Sequence, residues 1–156
     1  MLADEQLSRW LQEISRFRRV ALDTNAIIYH LQQAEPYASL LEHLVRFMER
    51  GALAVLVSTI VEVEVLVGPL RANDQRALTQ ATLFFRETPH LRVSSCNSEV
   101  ARRAAMVRAQ TGLRLPDAII VATALEDRCD AIIGNDIQVA SRFSEIPYLL
   151  LENYLT

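Results

Sequence analysis

A chain of 156 residues, 51% hydrophobic and 22% charged, can bury a real core and excludes a disordered or low-complexity polypeptide. The net charge of −3 excludes coating of nucleic acid through a global basic field. All sixteen basic residues are arginine, which removes Walker A phosphate loops and Schiff-base chemistry, since both need a lysine.

The predicted elements alternate between helices and strands. Leu7, Trp10, Leu11, Ile14 and Phe17 recur at i, i+3, i+4 and i+7, which predicts an amphipathic helix over residues 5 to 18. Asp4 and Glu5 at its start and Arg16, Arg18 and Arg19 at its end would suit the helix dipole. Val20-Ala21-Leu22 then reads as a buried strand, and Thr24 or Asn25 as the cap of a helix from Ala26 to Gln33. Pro36 restarts a helix to Arg50, ended by Gly51, and Leu53 to Val57 is a second strand.

Between Ser58 and Gly68 the pattern is mixed. Val61, Val63 and Val65 alternate as in a strand, whereas Thr59-Ile60-Val61-Glu62 has the form of a capping box. We take it as a helix, stopped at Gly68-Pro69. A helix from 73 to 86, a strand from Leu91 to Ser94, and a helix capped at Asn97 or Ser98 that runs to Gln110 follow. Pro116, at a first helical position, opens a helix to Arg128. Ala131-Ile132-Ile133 is a strand stopped by Gly134-Asn135-Asp136, and Tyr148 to Leu151 is a last one. This alternation predicts an α/β fold around a mostly parallel sheet. No repeat or linker divides the chain, so residues 1–156 are expected to form one domain, with 1–18 an N-terminal helical extension.

The acids fall at informative places. Asp23 and Asp136 each follow a strand, and in an open parallel sheet the carboxyl ends of neighbouring strands share one edge, where sites form. Asp117 at a helix start and Glu64 in the early turns after the second strand can reach the same edge. Carboxylates gathered within about 4–6 Å raise one another's pKa, and a divalent cation reverses that cost. Oxygen-only ligands favour Mg²⁺ or Mn²⁺ over zinc. A hard cation of this kind is what phosphodiester hydrolysis requires. The rest of the titratable inventory is plain. Cys96 and Cys129 lack a CxxC spacing and read as reduced thiols, and His30, His43 and His90 lack zinc-ligand spacing.

Leu22-Asp23-Thr24-Asn25, Glu64-Val65-Leu66-Val67-Gly68, Leu115-Pro116-Asp117-Ala118 and Gly134-Asn135-Asp136 resemble, in order, the acidic motifs of PIN-domain nucleases. The likeness is strongest to VapC-type toxins of toxin–antitoxin pairs. It implies a three-layer α/β/α sandwich and a Mg²⁺- or Mn²⁺-dependent endoribonuclease whose metal ligands are Asp23, Glu64, Asp117 and Asp136. It further implies support by Thr24, orientation of Asp23 by Asn25, a small antitoxin partner and homodimerisation. Glu64 is preferred to Glu62, because its spacing to Gly68 fits the motif and residues two apart on a helix point about 200° from each other.

Arg114, beside Asp117, and Arg71 and Arg76 are candidate contacts to RNA phosphate. Three departures stand out: Gly134 where the last motif usually has Thr or Ser, Val139 where an aromatic residue is common, and the helix ahead of the first strand. The competing expectations are a non-catalytic scaffold of the same fold and a metal-dependent hydrolase of DNA or nucleotides. With no apolar stretch near the ~20 residues that span a bilayer and a start that lacks a secretory signal's character, no membrane association and a cytoplasmic location are expected.

Overall fold

The computed structural model describes residues 2–156. In chain order the elements are α1 (Asp4–Ile14), β1 (Arg19–Leu22), α2 (Thr24–Leu31), α3 (Tyr37–Glu49), β2 (Ala54–Ser58), α4 (Thr59–Arg71) and α5 (Gln75–Glu87). They continue with β3 (Leu91–Ser94), α6 (Ser98–Thr111), α7 (Leu115–Glu126), β4 (Ala131–Gly134), α8 (Ile137–Arg142), β5 (Tyr148–Leu150) and a 3-10 turn over Leu151–Tyr154.

The five strands form one sheet in the order β3-β2-β1-β4-β5, and every pairing is parallel. Strand alternation sorts the core into two layers. Val20, Leu22, Val55, Val57, Ile133 and Leu149 face the side packed by α1 to α5. Ala21, Leu56 and Ile132, one position out of phase, face α6, α7 and α8. Both faces of the sheet are therefore covered, which is why its strands read as unbroken apolar runs. This is a three-layer α/β/α sandwich. The chain leaves β1 toward β2 on one side and returns to β4 on the other, so the order reverses between β1 and β4. A crevice opens at the carboxyl ends of such a strand pair.

Several local expectations need correction. The first helix ends at Ile14, not residue 18. Beyond it the Arg18 and Arg19 backbone N–H groups donate to the Asp130 carboxylate at 2.7 and 3.0 Å, which draws them toward the sheet. Trp10 and Ile14 are fully buried, and the Trp10 indole donates to the Leu40 carbonyl at 2.8 Å, so α1 packs on α3. Neither Thr24 nor Asn25 caps α2; Asp23 does. Ser58, not Thr59, caps α4, with its Oγ accepting from the Ile60 N–H.

Gly68-Pro69 does not stop α4. The helix continues to Arg71 with Pro69 inside it. Pro69 lines the seam between α2, α4 and α5 with Ile28, Leu31, Val65 and Ala81, and that packing offsets the one backbone hydrogen bond it cannot donate. The sequence reading also missed α8. An Asp at the cap followed by Val139 and Phe143, four apart and both buried, was the available signal.

Candidate active site

Asp23 follows the last residue of β1, and its N–H donates to the Ile133 carbonyl of β4, so it sits at the point where the strand order reverses. The residue is 5% exposed. Oδ1 accepts from the Thr24 N–H and Oδ2 from the Tyr148 hydroxyl, each at 2.8 Å. Burial pushes this carboxyl from 3.8 up to about 6, against the lowering effect of those two hydrogen bonds. The negative charges of Asp117 and Asp136 reach it and push the same way.

Asp136 follows β4 and caps α8, its Oδ1 accepting from Gln138 and Val139 N–H at 2.9 and 3.3 Å. Asp117 lies in the first turn of α7, also 5% exposed, and its Oδ2 accepts from Arg114 Nε at 3.0 Å. Pro116 is compatible with this placement because the first helical turn needs no N–H donor there. Glu64 projects from α4, and its Oε1 accepts from Thr24 Oγ1 at 2.6 Å. Arg114 feels Asp117 first, then Asp136 and Glu64, and its guanidinium is held above its usual pKa. The four acids thus come to one edge of the sheet. Glu62, two positions from Glu64 on α4, makes no such contact with α2.

The supporting residues are distributed differently from the expectation. Thr24 bonds Glu64, which ties the start of α2 to α4. Asn25 does not bond Asp23; its Oδ1 accepts from the Asn135 N–H at 3.0 Å and so joins the first motif to the last. Asn135 is then held a second time, its own Oδ1 accepting from the Glu152 N–H. Tyr148, which no motif singled out, bridges both loops. Besides donating to Asp23, its oxygen accepts from the Asp136 N–H at 3.1 Å. Burial and the neighbouring Asp23 charge hold this phenol far above its usual range, so it stays a donor.

Of the arginines, Arg114 is at the site with its side chain 75% exposed. Arg71 and Arg76 are exposed at the α4–α5 turn, and Arg71 lies roughly 10 Å further along the α4 axis than Glu64. An apolar groove of about 510 Å³ along α6 and α7, lined by Ala101, Ala105, Arg108, Leu113 and Ile119 among others, contains none of the four acids.

Whether this cluster suits a divalent cation rests on its free oxygens. Glu64, Asp117 and Asp136 each commit one carboxylate oxygen to a protein partner and leave the second for another ligand. The donor set is oxygen-only, as a hard cation requires. Among the described residues no three acidic, histidine or cysteine side chains already stand as a metal cage. The chemistry of the set fits Mg²⁺ or Mn²⁺.

Residues 20–145 match the family model of the PIN domain. No curated protein matches the chain. Among solved structures it is similar to VapBC2 from Rickettsia felis bound to a DNA fragment from its promoter, with a TM-score of 0.66 and 16% identity over 83% of this chain and 96% of that one. It is similar to FitAcB from Neisseria gonorrhoeae, with a TM-score of 0.66 and 16% identity over 85% and 98%. It also resembles Mycobacterium tuberculosis VapC20, described as a sarcin–ricin loop cleaving toxin, with a TM-score of 0.64 and 16% identity over 81% and 98%. At these identities the likeness is one of fold.

Proposed function

The chain belongs to the PIN domain family, and from that premise we propose that it is a Mg²⁺- or Mn²⁺-dependent endoribonuclease, the toxin of a toxin–antitoxin pair. The observation that carries the reading is the convergence of Asp23, Glu64, Asp117 and Asp136 at the β1/β4 switch point with a single arginine among them. These four acids would hold the cation. When bound, it supplies Lewis-acid stabilisation at the scissile phosphate and activates water.

The chain's own residues supply the rest. Thr24 fixes Glu64 against the start of α2, and Asn25 holds the Asn135 backbone next to Asp136. One carboxylate of the cluster accepts the proton of the attacking water. Arg114, exposed beside Asp117, is placed to meet an RNA phosphate, whereas Arg71 and Arg76 would touch only a longer substrate. The N-terminal helix, seated by Trp10, is part of the same domain in this reading. The toxin role draws on the toxin–antitoxin complexes among similar folds, and it brings a small antitoxin as partner, a homodimer and a cytoplasmic site of action. No helix among the described residues is long and apolar enough to cross a membrane.

The test is cleavage of single-stranded RNA by purified protein with Mg²⁺ and with chelator, beside single-stranded DNA and nucleoside phosphates. Metal-dependent cutting of RNA, abolished in Asp117→Asn, is the expected result. Preference for DNA or nucleotides would reassign the substrate. A second reading, a scaffold without catalysis, is favoured by the protein partners that all four carboxylates already have. Calorimetric titration with Mn²⁺ separates them, since a scaffold would bind weakly or not at all.

A further inference from the structure

Gly134 is the last residue of β4 and the place where the site is most crowded. A Cβ built there would stand 2.2 Å from the Tyr148 hydroxyl and 2.6 Å from the Asp23 Cβ. No side chain fits at 134 beside Tyr148 and Asp23. The glycine is needed for space, and the space is filled by a phenol from the neighbouring strand, Tyr148 being the first residue of β5 and paired with Ile132.

We propose that Tyr148 is a positioning residue of the site, its hydroxyl admitted by Gly134 and clamping the Asp23 carboxylate to the Asp136 backbone. The hydroxyl has one proton and two lone pairs. Its proton goes to Asp23 Oδ2 at 2.8 Å, and one lone pair takes the Asp136 N–H at 3.1 Å. Asp23 Oδ1 is fixed by the Thr24 N–H, so both carboxylate oxygens are oriented, each with acceptor capacity left. Asp136 in turn has its backbone held by Tyr148 and its Oδ1 by the start of α8. One oxygen atom thus sets the separation of the two strand-end acids. Partners of this kind typically change metal affinity or activity by about 10–100-fold when removed. Gly134 is required on two counts, since a Cβ there would overlap both the phenol oxygen and the Asp23 Cβ.

This inference rests on the metal-dependent reading above only for its affinity readout. The test uses the full chain and three variants, Tyr148→Phe, Tyr148→Leu and Gly134→Ala. Mn²⁺ binding is measured by calorimetry, and exchange of the Asp136 amide by NMR without metal. In Tyr148→Phe we expect Mn²⁺ affinity to fall about 10-fold and Asp136 amide exchange to quicken at least as much, with core amides unchanged. Tyr148→Leu, which removes the hydroxyl and the ring together, should show both losses. Gly134→Ala, whose Cβ would press on both the phenol oxygen and the Asp23 Cβ, should show both losses as well. Unchanged Asp136 exchange in Tyr148→Phe, or parental Mn²⁺ affinity in that variant, overturns the clamp. If the parent binds no Mn²⁺, the metal reading fails, while the amide exchange still decides the clamp.

Discussion

Strand β1 has acids at both ends, and the two groups are compensated very differently. At its amino end, Asp130 accepts the Arg18 and Arg19 backbone N–H groups, and Asp127 pairs with the Arg92 guanidinium and accepts from Ser94 Oγ at 2.9 Å. The Arg19 guanidinium adds a bond to the Asp127 carbonyl at 2.7 Å. One guanidinium, one hydroxyl and two backbone N–H groups serve these two carboxylates. At the carboxyl end, four carboxylates gather with one arginine, which bonds Asp117 alone, and two of them, Asp23 and Asp117, are only 5% exposed. The first group stabilises the fold as it stands. The second costs stability as it stands, and in the proposed function a bound cation completes it.

The sharpest way to break this contrast is to neutralise one acid at each end. Asp23→Asn should lower Mg²⁺-dependent RNA cleavage by about 100-fold or more, whereas Asp130→Asn should leave it within about twofold. Rates under single-turnover conditions decide, and equal losses would erase the distinction. Without metal, the same Asp23→Asn change should raise stability. The buried Asp23 carboxyl holds its proton up to about 6 in the folded protein, against 3.8 ordinarily. Folding therefore takes up a proton between those values. Its contribution is most favourable below about pH 4, declines as pH rises to about 6, and is flat above, a change on the order of 3 kcal/mol. In Asp23→Asn that slope should vanish, leaving the variant the more stable protein at pH 7.5 with chelator present. Urea unfolding at pH 4.5 and 7.5 measures it, and parallel pH profiles for the two proteins would refute the burial argument.

At the amino end the sign reverses. Asp130 is exposed but accepts two backbone N–H groups where the chain enters β1, so Asp130→Ala should cost about 1–2 kcal/mol in urea unfolding at any pH between 6 and 8. No loss would mean that water serves those donors equally well.

The sequence was legible where one residue type has one physical job. Apolar runs at residues 20–22, 53–57 and 131–133 became buried strands because both faces of the sheet are covered, and the acids after two of them came to one edge because the sheet is parallel. It was illegible where tertiary contact overrides local preference. Pro69 reads as a stop, yet packing on α2 and α5 keeps it helical. Gly134 reads as the loss of a hydroxyl, yet Tyr148 brings a hydroxyl to that space from a strand fourteen residues later. Asn25 reads as a neighbour of Asp23, but its partner is the Asn135 backbone, which only the β1–β4 pairing puts within reach. Motif residues announce which atoms gather at the edge; their partners are set by register.

The smallest expected effect concerns the one arginine at the acid-rich end. Arg114 donates to Asp117 at 3.0 Å, but its side chain is 75% exposed, so solvent screens its influence. In the free protein it offsets part of the cluster's negative charge and thereby competes with any cation the acids would hold. In complex with RNA the same guanidinium would face a phosphate. Arg114→Ala should therefore act in opposite directions on two ligands, tightening Mn²⁺ binding by about threefold while weakening RNA binding. Loss of one phosphate contact should also lower the salt slope of RNA binding by about one. Mn²⁺ calorimetry and RNA binding at several salt concentrations, on the non-cleaving Asp117→Asn background for the RNA arm, measure both; because that background also removes the Arg114 partner, the RNA comparison is made between Asp117→Asn alone and the double variant. Weaker binding of both ligands would mean that Arg114 serves the acids as a structural brace, and the carboxyl end of β1 would then resemble its amino end more than its charge suggests.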